Sequence, residues 1–495
     1  MSALPISIHS VAQVRAMDAR AIALGIPAYT LMTRAAAAAL AALRSEWPQA
    51  MRLLVVCGYG NNAGDGYVLA RLASADKLQV TVVALADPQQ LQGAARQAWQ
   101  DYVAAGGVTQ PWRAELLLDA DVVVDAILGT GLSRLLDASL QTIVQAINDS
   151  ARPVLALDVP TGLHADSGAI MGKAICAHRT VTFVGLKQGL YLGNGPNQVG
   201  SILFDDLGIP AEIAQHTEAV AERMEGTVVQ RALPRRPRTA HKGQQGHVLI
   251  VGGGIGMAGA VRLSGEACLR VGAGLVTVAT RPEQVSVVVA ARPELMCCGV
   301  LSAAKLAPLL MRASVIAIGP GLGQDEWARS MFAAVMASDK PLIVDADALN
   351  LLAQQPYRRN NWVLTPHPGE ASRLLGTTTA AIQAARLQSL QALLDRYSGT
   401  VVLKGAGTLV ASSDQLPTLC DRGNPGMAAP GMGDVLTGII AGIAAQQTHA
   451  GGDLSLAARA GVYVHATAGD IAARHGERGV LASDLFAHLP RCVNP

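Results

Sequence analysis

The sequence predicts an α/β fold that is built twice, with a parallel β-sheet in each half of the chain. Short apolar segments alternate with helical stretches in both halves, and continuous apolar strands are typical of parallel sheets covered by helices on both faces. The chain contains 51 glycines but only 3% aromatic residues. This composition suits the tight strand-to-helix turns and close helix–sheet packing of an α/β fold.

The first half opens with a predicted helix over residues 11–42, which the segment Gly25–Pro27 interrupts. Apolar runs then predict strands at residues 53–57, 80–85, 121–127, 153–159, 181–184 and 201–204. The first of these strands leads through a Gly/Asn-rich loop into a helix from about Gly64. Repeated strand–loop–helix units of this kind indicate parallel strands with crossover helices.

A polar, charged stretch at residues 208–226 interrupts the pattern, and we place the domain boundary there. The predicted organisation is a first domain at residues 1–215, a linker at residues 216–226 and a second domain at residues 227–495. Strands of the second half are predicted at residues 247–251, 275–279, 315–318, 342–345, 362–364 and 400–403. Two long helices, at residues 434–445 and about 454–474, complete the second domain.

Composition and charge favour small-molecule ligands over polyanionic partners. The formal net charge is +2 and charged residues make up 15% of the chain, which does not indicate a nucleic-acid or membrane-surface partner. The low aromatic content does not suit single-stranded nucleic acid binding, which uses aromatic stacking platforms. The apolar run from Val435 is interrupted by Gly438 and Gly442, so we interpret it as a buried helix and predict no membrane span.

The seven cysteines are an odd number and show no Cys-x-x-Cys spacing. Cys297 and Cys298 are adjacent, which suits neither an ordinary disulfide nor a zinc site. We therefore expect reduced thiols in a reducing compartment. The N-terminus has no charged segment followed by an apolar core, so no signal peptide is predicted and the expected location is the cytoplasm.

Three predicted strands of the first half end in loops that carry acidic or amide side chains. The loops are CGYGNNAGDG at residues 57–66, DAILGTGL at 125–132 and DVPTG at 158–162. In parallel sheets, ligands bind beyond the carboxyl ends of the strands, and a helix N-terminus favours phosphate. A glycine turn can be purely structural and each Asp could cap a helix, but three such loops together favour a ligand site.

With Met17–Ile22, Gly25–Pro27 and Leu31–Met32 added, these segments resemble the NAD(P)H-hydrate epimerase family over about residues 10–210. Ala63 stands where that family usually has Gly, and Thr161 stands where it usually has Ser; the second change retains the hydroxyl. The resemblance implies a Rossmann-like three-layer sandwich that interconverts the R and S forms of hydrated NADH and NADPH.

The resemblance also implies which residues of the first half form the site. A potassium ion would bind Asn62, Asp125 and Thr161, whose oxygen ligands suit a hard cation. The hydrated dinucleotide would contact Asn61, Asn62, Ala63, Gly64, Asp65, Gly129, Thr130, Gly131, Leu132, Ser133, Arg134, Leu135 and Asp158. The chemistry needs a proton donor and a proton acceptor beside the hydroxyl-bearing ring carbon, and Asp158 is the hypothesised acid/base.

The second half carries a glycine-rich run, GNPGMAAPGMGD at residues 423–434, that leads into an apolar helix. Backbone N–H groups of the turn Gly431–Asp434 could cradle a phosphoryl group, and Asp434 could accept a hydroxyl proton. The alternative is that Asp434 only caps the helix. No P-loop motif is present. His367, between two prolines and near Glu370, could be structural, although we favour a ligand contact.

Further motifs of this half are HKGQQGHVLIVGGG, Met257–Ala260, DADALN, TPHPGE, VLKGAGT and GNPGMAAPGMGDVLTG. They resemble the ribokinase-like superfamily and, within it, the ADP/ATP-dependent NAD(P)H-hydrate dehydratases over about residues 225–490. Pro430 stands where relatives often carry a smaller residue. The resemblance implies a ribokinase-like α/β domain that contacts the hydrated dinucleotide through Ala258, Gly321, His367 and Asp434. It implies nucleotide contacts at Lys404, Gly405, Ala406, Gly407, Thr408 and Gly433, with Mg²⁺ and with ADP favoured over ATP.

The two resemblances together predict a bifunctional repair enzyme that acts on NADHX and NADPHX, and relatives imply a homo-oligomer. One alternative is a ribokinase-like vitamin or sugar kinase with an accessory N-terminal domain. A second is a non-enzymatic scaffold, which the acid-bearing loops argue against. A third is an NAD-dependent dehydrogenase, suggested by the glycines at 252–256, but no ribose-binding acid stands clearly about 20 residues onward.

Overall fold

The computed structural model describes residues 3–413, 415–447 and 452–494. The chain divides into two compact units, Met1–Ala221 and Glu222–Pro495. Each unit is an α/β structure. No helix in these three described ranges is both long enough and apolar enough to cross a membrane.

The first unit contains nine strands and seven helices in the described part of the chain. The strands are β1 (Ser7–His9), β2 (Arg52–Cys57), β3 (Gln79–Ala84), β4 (Thr109–Gln110), β5 (Val122–Ala126), β6 (Val154–Leu157), β7 (Arg179–Phe183), β8 (Leu186–Lys187) and β9 (Ser201–Asp205). The helices are α1 (Val11–Ala23), α2 (Ala28–Glu46), α3 (Gly60–Ala75), α4 (Gly93–Ala104), α5 (Ala138–Asp149), α6 (Gly195–Gln198) and α7 (Ala211–Gln215).

Seven of these strands form a parallel sheet in the order β4-β3-β2-β5-β6-β7-β9. Strand β1 pairs in parallel with β8. The chain proceeds outward from β2 through β3 and β4, and then returns to β5 on the other side of β2. The loops that follow β2 and β5 therefore run in opposite directions away from the sheet and leave a crevice between them. Such a topological switch point is where open α/β sheets bind ligands.

Side chains of β2 alternate between two hydrophobic cores, as expected for a strand covered on both faces. Leu53 and Val55 pack in one core with residues of α2, α3 and α4. Leu54 and Val56 pack in a second core with residues of α5. The predicted three-layer arrangement is therefore confirmed. The predicted helix over residues 11–42 is present as α1 and α2, broken at Gly25–Pro27 as expected.

The second unit contains ten strands in the described ranges. They are β10 (Ala221–Arg223), β11 (His247–Val251), β12 (Leu275–Thr280), β13 (Met296–Gly299), β14 (Val315–Ile318), β15 (Leu342–Val344), β16 (Trp362–Leu364), β17 (Thr400–Leu403), β18 (Thr408–Ser412) and β19 (Thr418–Cys420). All six strands predicted for this half are confirmed to within a few residues. Strand β10 lies inside the stretch predicted as a linker and pairs with β19.

The described helices of this unit cover both faces of its sheet. They are α8 (Thr227–Ala232), α9 (Ala258–Arg270), α10 (Val285–Ala291), α11 (Ala303–Arg312), α12 (Glu326–Met336), α13 (Ala346–Gln354), α14 (Pro368–Leu375), α15 (Thr379–Ala384), α16 (Arg386–Tyr397), α17 (Met432–Gln447), α18 (Leu454–Ala472) and α19 (Leu489–Cys492). Val248 and Ile250 of β11 share one core with Val435 and Ile439 of α17.

The strand order in the second unit is β13-β12-β11-β14-β15-β16-β17-β18-β19-β10. The strands from β13 to β17 pair in parallel, but β17, β18 and β19 pair antiparallel. All six strands predicted for this half lie in the parallel part of the sheet, whereas the hairpin strands β18 and β19 were not predicted. Only residues 404–407 separate β17 from β18, which is enough for a hairpin but far too short for a parallel crossover.

Helix α17 lies close to α9 because two glycines remove side chains from their contact. A Cβ atom at Gly438 would stand 2.1 Å from the carbonyl oxygen of Ser264. One at Gly442 would stand 2.9 Å from the carbonyl oxygen of Cys268. The Ser264 hydroxyl also donates to the carbonyl oxygen of Asp434 at 2.8 Å. The packing therefore fixes the first turn of α17, which carries Asp434.

Candidate active sites

The glycine-rich segment after β2 is helical rather than a loop, because α3 begins at Gly60 and not near Gly64. Its glycines serve close packing. A Cβ at Gly64 would stand 2.6 Å from the Met32 side chain, and one at Gly66 would stand 2.6 Å from Ala126 Cβ. Asn61–Asp65 therefore form the first turns of a helix, whose free N–H groups suit an anion.

Asp125 and Thr161, predicted as cation ligands, are both fully buried and lie in direct contact. The Asp125 carboxylate accepts hydrogen bonds from the Thr161 hydroxyl at 2.6 Å and the Thr161 N–H at 2.8 Å. Burial raises the pKa of Asp125 to about 6, against the hydrogen bonds from Thr161 that lower it. A bound cation would offset the cost of a buried carboxylate.

Asn62 is buried on α3, and neither its amide oxygen nor its amide nitrogen has a hydrogen-bond partner. Such an orphaned polar group is costly unless a ligand satisfies it. A Cβ at Gly129 would stand 3.4 Å from Asn62 Oδ1 and 3.4 Å from Asp158 Oδ2. The Asn62 amide and the Asp158 carboxylate thus border the same space, which the absence of a side chain at Gly129 leaves open.

Asp158 lies just beyond β6, which ends at Leu157 rather than at residue 159 as predicted. Its backbone has φ +65°, an uncommon conformation for a residue with a side chain. The Lys187 ammonium forms a short ion pair with Asp158 Oδ1, and the Thr182 hydroxyl donates to the same oxygen at 3.2 Å. Strained backbone of this kind is concentrated at functional sites.

Two charged residues beside Asp158 were not predicted from the sequence. Lys187 on β8 is only 1% exposed, and Asp18 on α1 is near enough for its charge to interact with Lys187 and Asp158. Burial raises the pKa of Asp18 to about 6, and the pKa of Asp65 is raised well above its ordinary value, mainly by burial and then by Asp158. A lysine inside the apolar run at residues 181–190 was the available signal.

The predicted substrate loop, Gly129–Leu135, lies beside α1. The Arg15 guanidinium donates to the Thr130 carbonyl at 3.1 Å. Ser133, Arg134 and Leu135 are exposed, whereas Leu132 is buried in the core against α5. Leu132 can therefore offer a ligand only its backbone.

In the second unit, Asp345 is buried directly after β15, and its carboxylate accepts three hydrogen bonds from side chains. It accepts from Lys404 Nζ at 2.8 Å, from the Thr365 hydroxyl at 2.8 Å and from the Thr437 hydroxyl at 2.7 Å. Burial opposes ionisation of Asp345, but Lys404 and the two hydroxyls together lower its pKa. Lys404 also lies 3.7 Å from Glu370 Oε2. The ion pair of Lys404 with Asp345 and the hydrogen bond from Thr437 therefore connect the ends of β15 and β17 to α17.

The N-terminus of α17 lies next to this lysine. A Cβ at Gly433 would stand 3.4 Å from Lys404 Nζ and 3.7 Å from Asp345 Oδ2. Gly431 has φ +86°, a conformation that glycine adopts without strain. The free N–H groups of this first turn and the Lys404 ammonium therefore converge, which is an arrangement suited to a phosphate group.

Asp434, in the first turn of α17, carries a strongly perturbed carboxyl group. Burial, followed by the negative charge of Asp345, raises the pKa of Asp434 to about 7, against the opposing effect of Lys404. A carboxyl group with a pKa near neutrality can act as a general base at physiological pH. The structure thus places a candidate base directly beside a candidate phosphate site.

His367 caps α14. Its Nδ1 accepts from the N–H groups of Gly369 at 2.9 Å and Glu370 at 3.3 Å, and Glu370 accepts from the His367 N–H in return. Burial, with help from Lys404, lowers the pKa of His367. The side chain thus has the structural role that the sequence analysis weighed against ligand binding, while a ligand contact through Nε2 stays a prediction.

The remaining predicted contacts form two groups. The loop at residues 319–323 meets the start of α9, where Gly254 N–H donates to the Gly321 carbonyl at 2.6 Å and Ala258 is buried nearby. The turn at residues 404–407 is held by the buried Arg386, which donates to the carbonyl groups of Lys404 and Gly407. Arg386 is a further residue that was not predicted from the sequence. In the described ranges no cluster of three His, Cys, Asp or Glu residues could hold a metal ion.

Both halves of the chain match known protein families. Residues 248–491 match the family described as NAD(P)H-hydrate dehydratase, and residues 28–189 match the family described as YjeF-related protein N-terminus. A ribokinase-like superfamily protein of Enterococcus faecalis has 32% identity and a TM-score of 0.50, covering 55% of this chain and 95% of that protein. The second unit therefore has the predicted ribokinase-like fold.

Full-length relatives match both units at once. The bifunctional NAD(P)H-hydrate repair enzyme Nnr of Coxiella burnetii is 48% identical over 98% of this chain and 98% of its own length. The enzyme of the same name from Escherichia coli is 45% identical over 95% of this chain and 91% of its own length. The chain therefore belongs to the family of bifunctional NAD(P)H-hydrate repair enzymes.

Proposed function

We propose that the first unit interconverts the R and S forms of hydrated NADH and NADPH, and that the second unit dehydrates the S form with ADP, yielding AMP and phosphate. The observation that best supports this proposal is Asp434, a carboxyl group in the first turn of α17 whose pKa is raised to about 7. Since hydration yields both forms, an epimerase on the same chain lets a selective dehydratase recover all of the substrate.

In the second unit, Asp434 removes the proton from the ring hydroxyl, and that oxygen attacks the terminal phosphoryl group of ADP as AMP leaves. Lys404 and the N–H groups of the Gly431–Asp434 turn hold the transferring group. The ring then expels phosphate, a better leaving group than hydroxide, and the reduced nicotinamide is restored. Mg²⁺ would screen the phosphate charges of ADP during the transfer.

In the first unit, the carboxylate of Asp158 accepts a proton from the water that attacks the ring. The ion pair with Lys187 holds Asp158 beside the open space at Gly129. Asp18 and Asp65, whose pKa values are raised, supply candidate donors for the departing hydroxyl. The initial hypothesis assigns both steps to Asp158, and the neighbouring Asp18 and Asp65 offer an alternative source of the proton.

Potassium would bind at Asn62, Asp125 and Thr161. The orphaned Asn62 amide and the buried Asp125 carboxylate support this assignment. The ion would supply positive charge that stabilises the buried carboxylate and orders the start of α3.

The deciding experiment supplies both NADHX epimers with protein, ADP, Mg²⁺ and K⁺, and follows the near-ultraviolet absorbance of NADH. Recovery of all the substrate supports both activities. Recovery that stops at the share of the S form removes the epimerase from the proposal. A stable phosphorylated product with no NADH would favour the alternative, a ribokinase-like vitamin or sugar kinase.

Replacing Asn62 with leucine should abolish the response of the epimerase to potassium, because the variant loses an oxygen ligand. We expect K⁺ to raise both the R/S interconversion rate and the Tm of the wild type, relative to tetramethylammonium, and to raise neither in the variant. The rates come from chromatography of the epimers and the Tm from thermal melting. Equal K⁺ responses in both proteins would contradict the site.

The dehydratase rate should fall in acid because Asp434 must be ionised to act as a base. As the pH drops below the pKa of about 7, the protonated fraction grows and kcat/KM should decrease about tenfold per pH unit. The measurement is initial-rate kinetics on S-NADHX from about pH 5 to about pH 9. A flat profile across neutral pH would exclude Asp434 as the base.

A further inference from the structure

The main chain of Lys187 is held in a pair of parallel strands, independently of the contacts of its side chain. It lies on β8, where its Cα is in register with that of His9 on β1. The side chain is 1% exposed, so burying it requires partners that satisfy the ammonium group. A buried lysine beside the candidate base therefore requires a specific explanation.

The ammonium group of Lys187 has three N–H donors, and three acceptors surround it. These are Asp158 Oδ1, the Thr182 hydroxyl at 3.0 Å and the Phe183 carbonyl at 2.8 Å. With every donor occupied, Lys187 has no N–H to offer a substrate. These contacts suit Lys187 to hold another residue in position rather than to take part in the reaction directly.

The two oxygens of Asp158 differ in consequence. Oδ1 accepts from both Lys187 and Thr182. Oδ2 instead borders the open space at Gly129, opposite the Asn62 amide. A carboxylate oxygen that accepts two hydrogen bonds is a poorer proton acceptor than a free one, so the two oxygens are suited to different tasks.

The backbone at Asp158 adds a second constraint. Asp158 has a positive φ, and its N–H donates to the Val181 carbonyl oxygen at 2.7 Å. Val181 and Thr182 belong to the same strand, β7. Strand β7 therefore fixes the main chain of Asp158 directly, and its side chain through Thr182 and Lys187.

We propose that Lys187 is the positioning residue of the epimerase site: it anchors Oδ1 of Asp158 and thereby leaves Oδ2 as the oxygen that accepts the proton. The inference rests on the proposed epimerase function and adds the assignment of that step to one atom. Lys187 itself neither donates nor accepts a proton in the reaction and does not touch the substrate.

The test uses the full-length protein and the Lys187→Met variant, which keeps the length of the side chain and removes its charge. We expect kcat for R/S interconversion to fall about 100-fold, with KM changed less than about threefold. Lys187→Arg should recover at least about tenfold of that loss, because it retains a cationic donor. The matched control is Lys77→Met, which removes an exposed lysine of the same unit and should leave both constants unchanged.

A wild type that does not interconvert the epimers would refute the proposed epimerase itself. An active wild type with an unchanged Lys187→Met kcat would overturn only the positioning role, as would an effect confined to KM. If Lys187→Met fails to fold, Thr182→Val decides, since it removes one contact from Oδ1 and retains the lysine. An intermediate fall in its kcat supports the proposal, and a wild-type kcat overturns it.

Discussion

Asp434→Asn should lower the dehydratase kcat by about 10²–10⁴-fold, the usual contribution of a general base. Asparagine can make the same helix-end hydrogen bonds as aspartate, so the substitution separates chemistry from capping. If Asp434 only capped α17, the variant would keep its activity. The measurement is the initial rate of NADH formation from S-NADHX with ADP and Mg²⁺.

The control for this prediction is Asp395→Asn, which removes an exposed carboxylate from the same unit. It should leave dehydratase kinetics unchanged, and R/S interconversion should persist in both variants. Because burial raises the pKa of Asp434, removing its charge relieves a desolvation cost, and we expect no loss of stability. A near-normal rate for Asp434→Asn would transfer the role of base to another residue.

The parts of the fold that rest on local pattern were predictable. Strands β11, β14, β16 and β17 match their predicted bounds, since each is a short apolar run between polar residues. The hairpin of β18 and β19 was missed because its strands, such as Thr408–Ser412, mix polar and apolar residues without the continuous pattern of a buried parallel strand. Such strands depend on pairing partners that a local window does not contain.

The candidate sites were predictable where function is carried by glycine-rich loops and strand ends, as at Asp158 and Asp434. They were not predictable where a distant residue completes the site. Lys187 is 29 residues from Asp158 in the chain, and Arg386 is 18 residues from Lys404. The apolar run around Lys187 indicates that this lysine is buried, but the sequence does not show that its partner is Asp158.

The two units use a buried lysine in different ways. Lys404 neutralises Asp345, which is not the proposed base, and Asp345 in turn raises the pKa of Asp434. Lys187 instead pairs with Asp158, the proposed base itself. In the second unit the pKa of the proposed base is thus near neutral pH. In the first unit the proposed base is instead held in position by a lysine, and the raised pKa values belong to nearby Asp18 and Asp65.

Asp158→Asn should lower R/S interconversion by about 10²–10⁴-fold, because the amide does not accept the proton from the attacking water. Dehydration of S-NADHX by the same protein should be unaffected, and Asp149→Asn, an exposed change on α5, should leave both activities unchanged. The measurement is chromatography of pure R-NADHX after incubation with protein and K⁺. Wild-type interconversion by Asp158→Asn would exclude this residue as the proton acceptor.

Asp158→Asn could lose activity for a second reason, which is a loss of stability rather than the loss of the proton acceptor. Asparagine leaves the Lys187 ammonium buried without a counter-charge, and breaking a buried ion pair in this way costs about 3–5 kcal/mol. The double variant Asp158→Asn/Lys187→Met removes both charges, so it should regain most of the lost stability in thermal or urea melting. If its epimerase activity stays absent while stability returns, the loss lies in the chemistry of Asp158; if activity returns with stability, the carboxylate is structural.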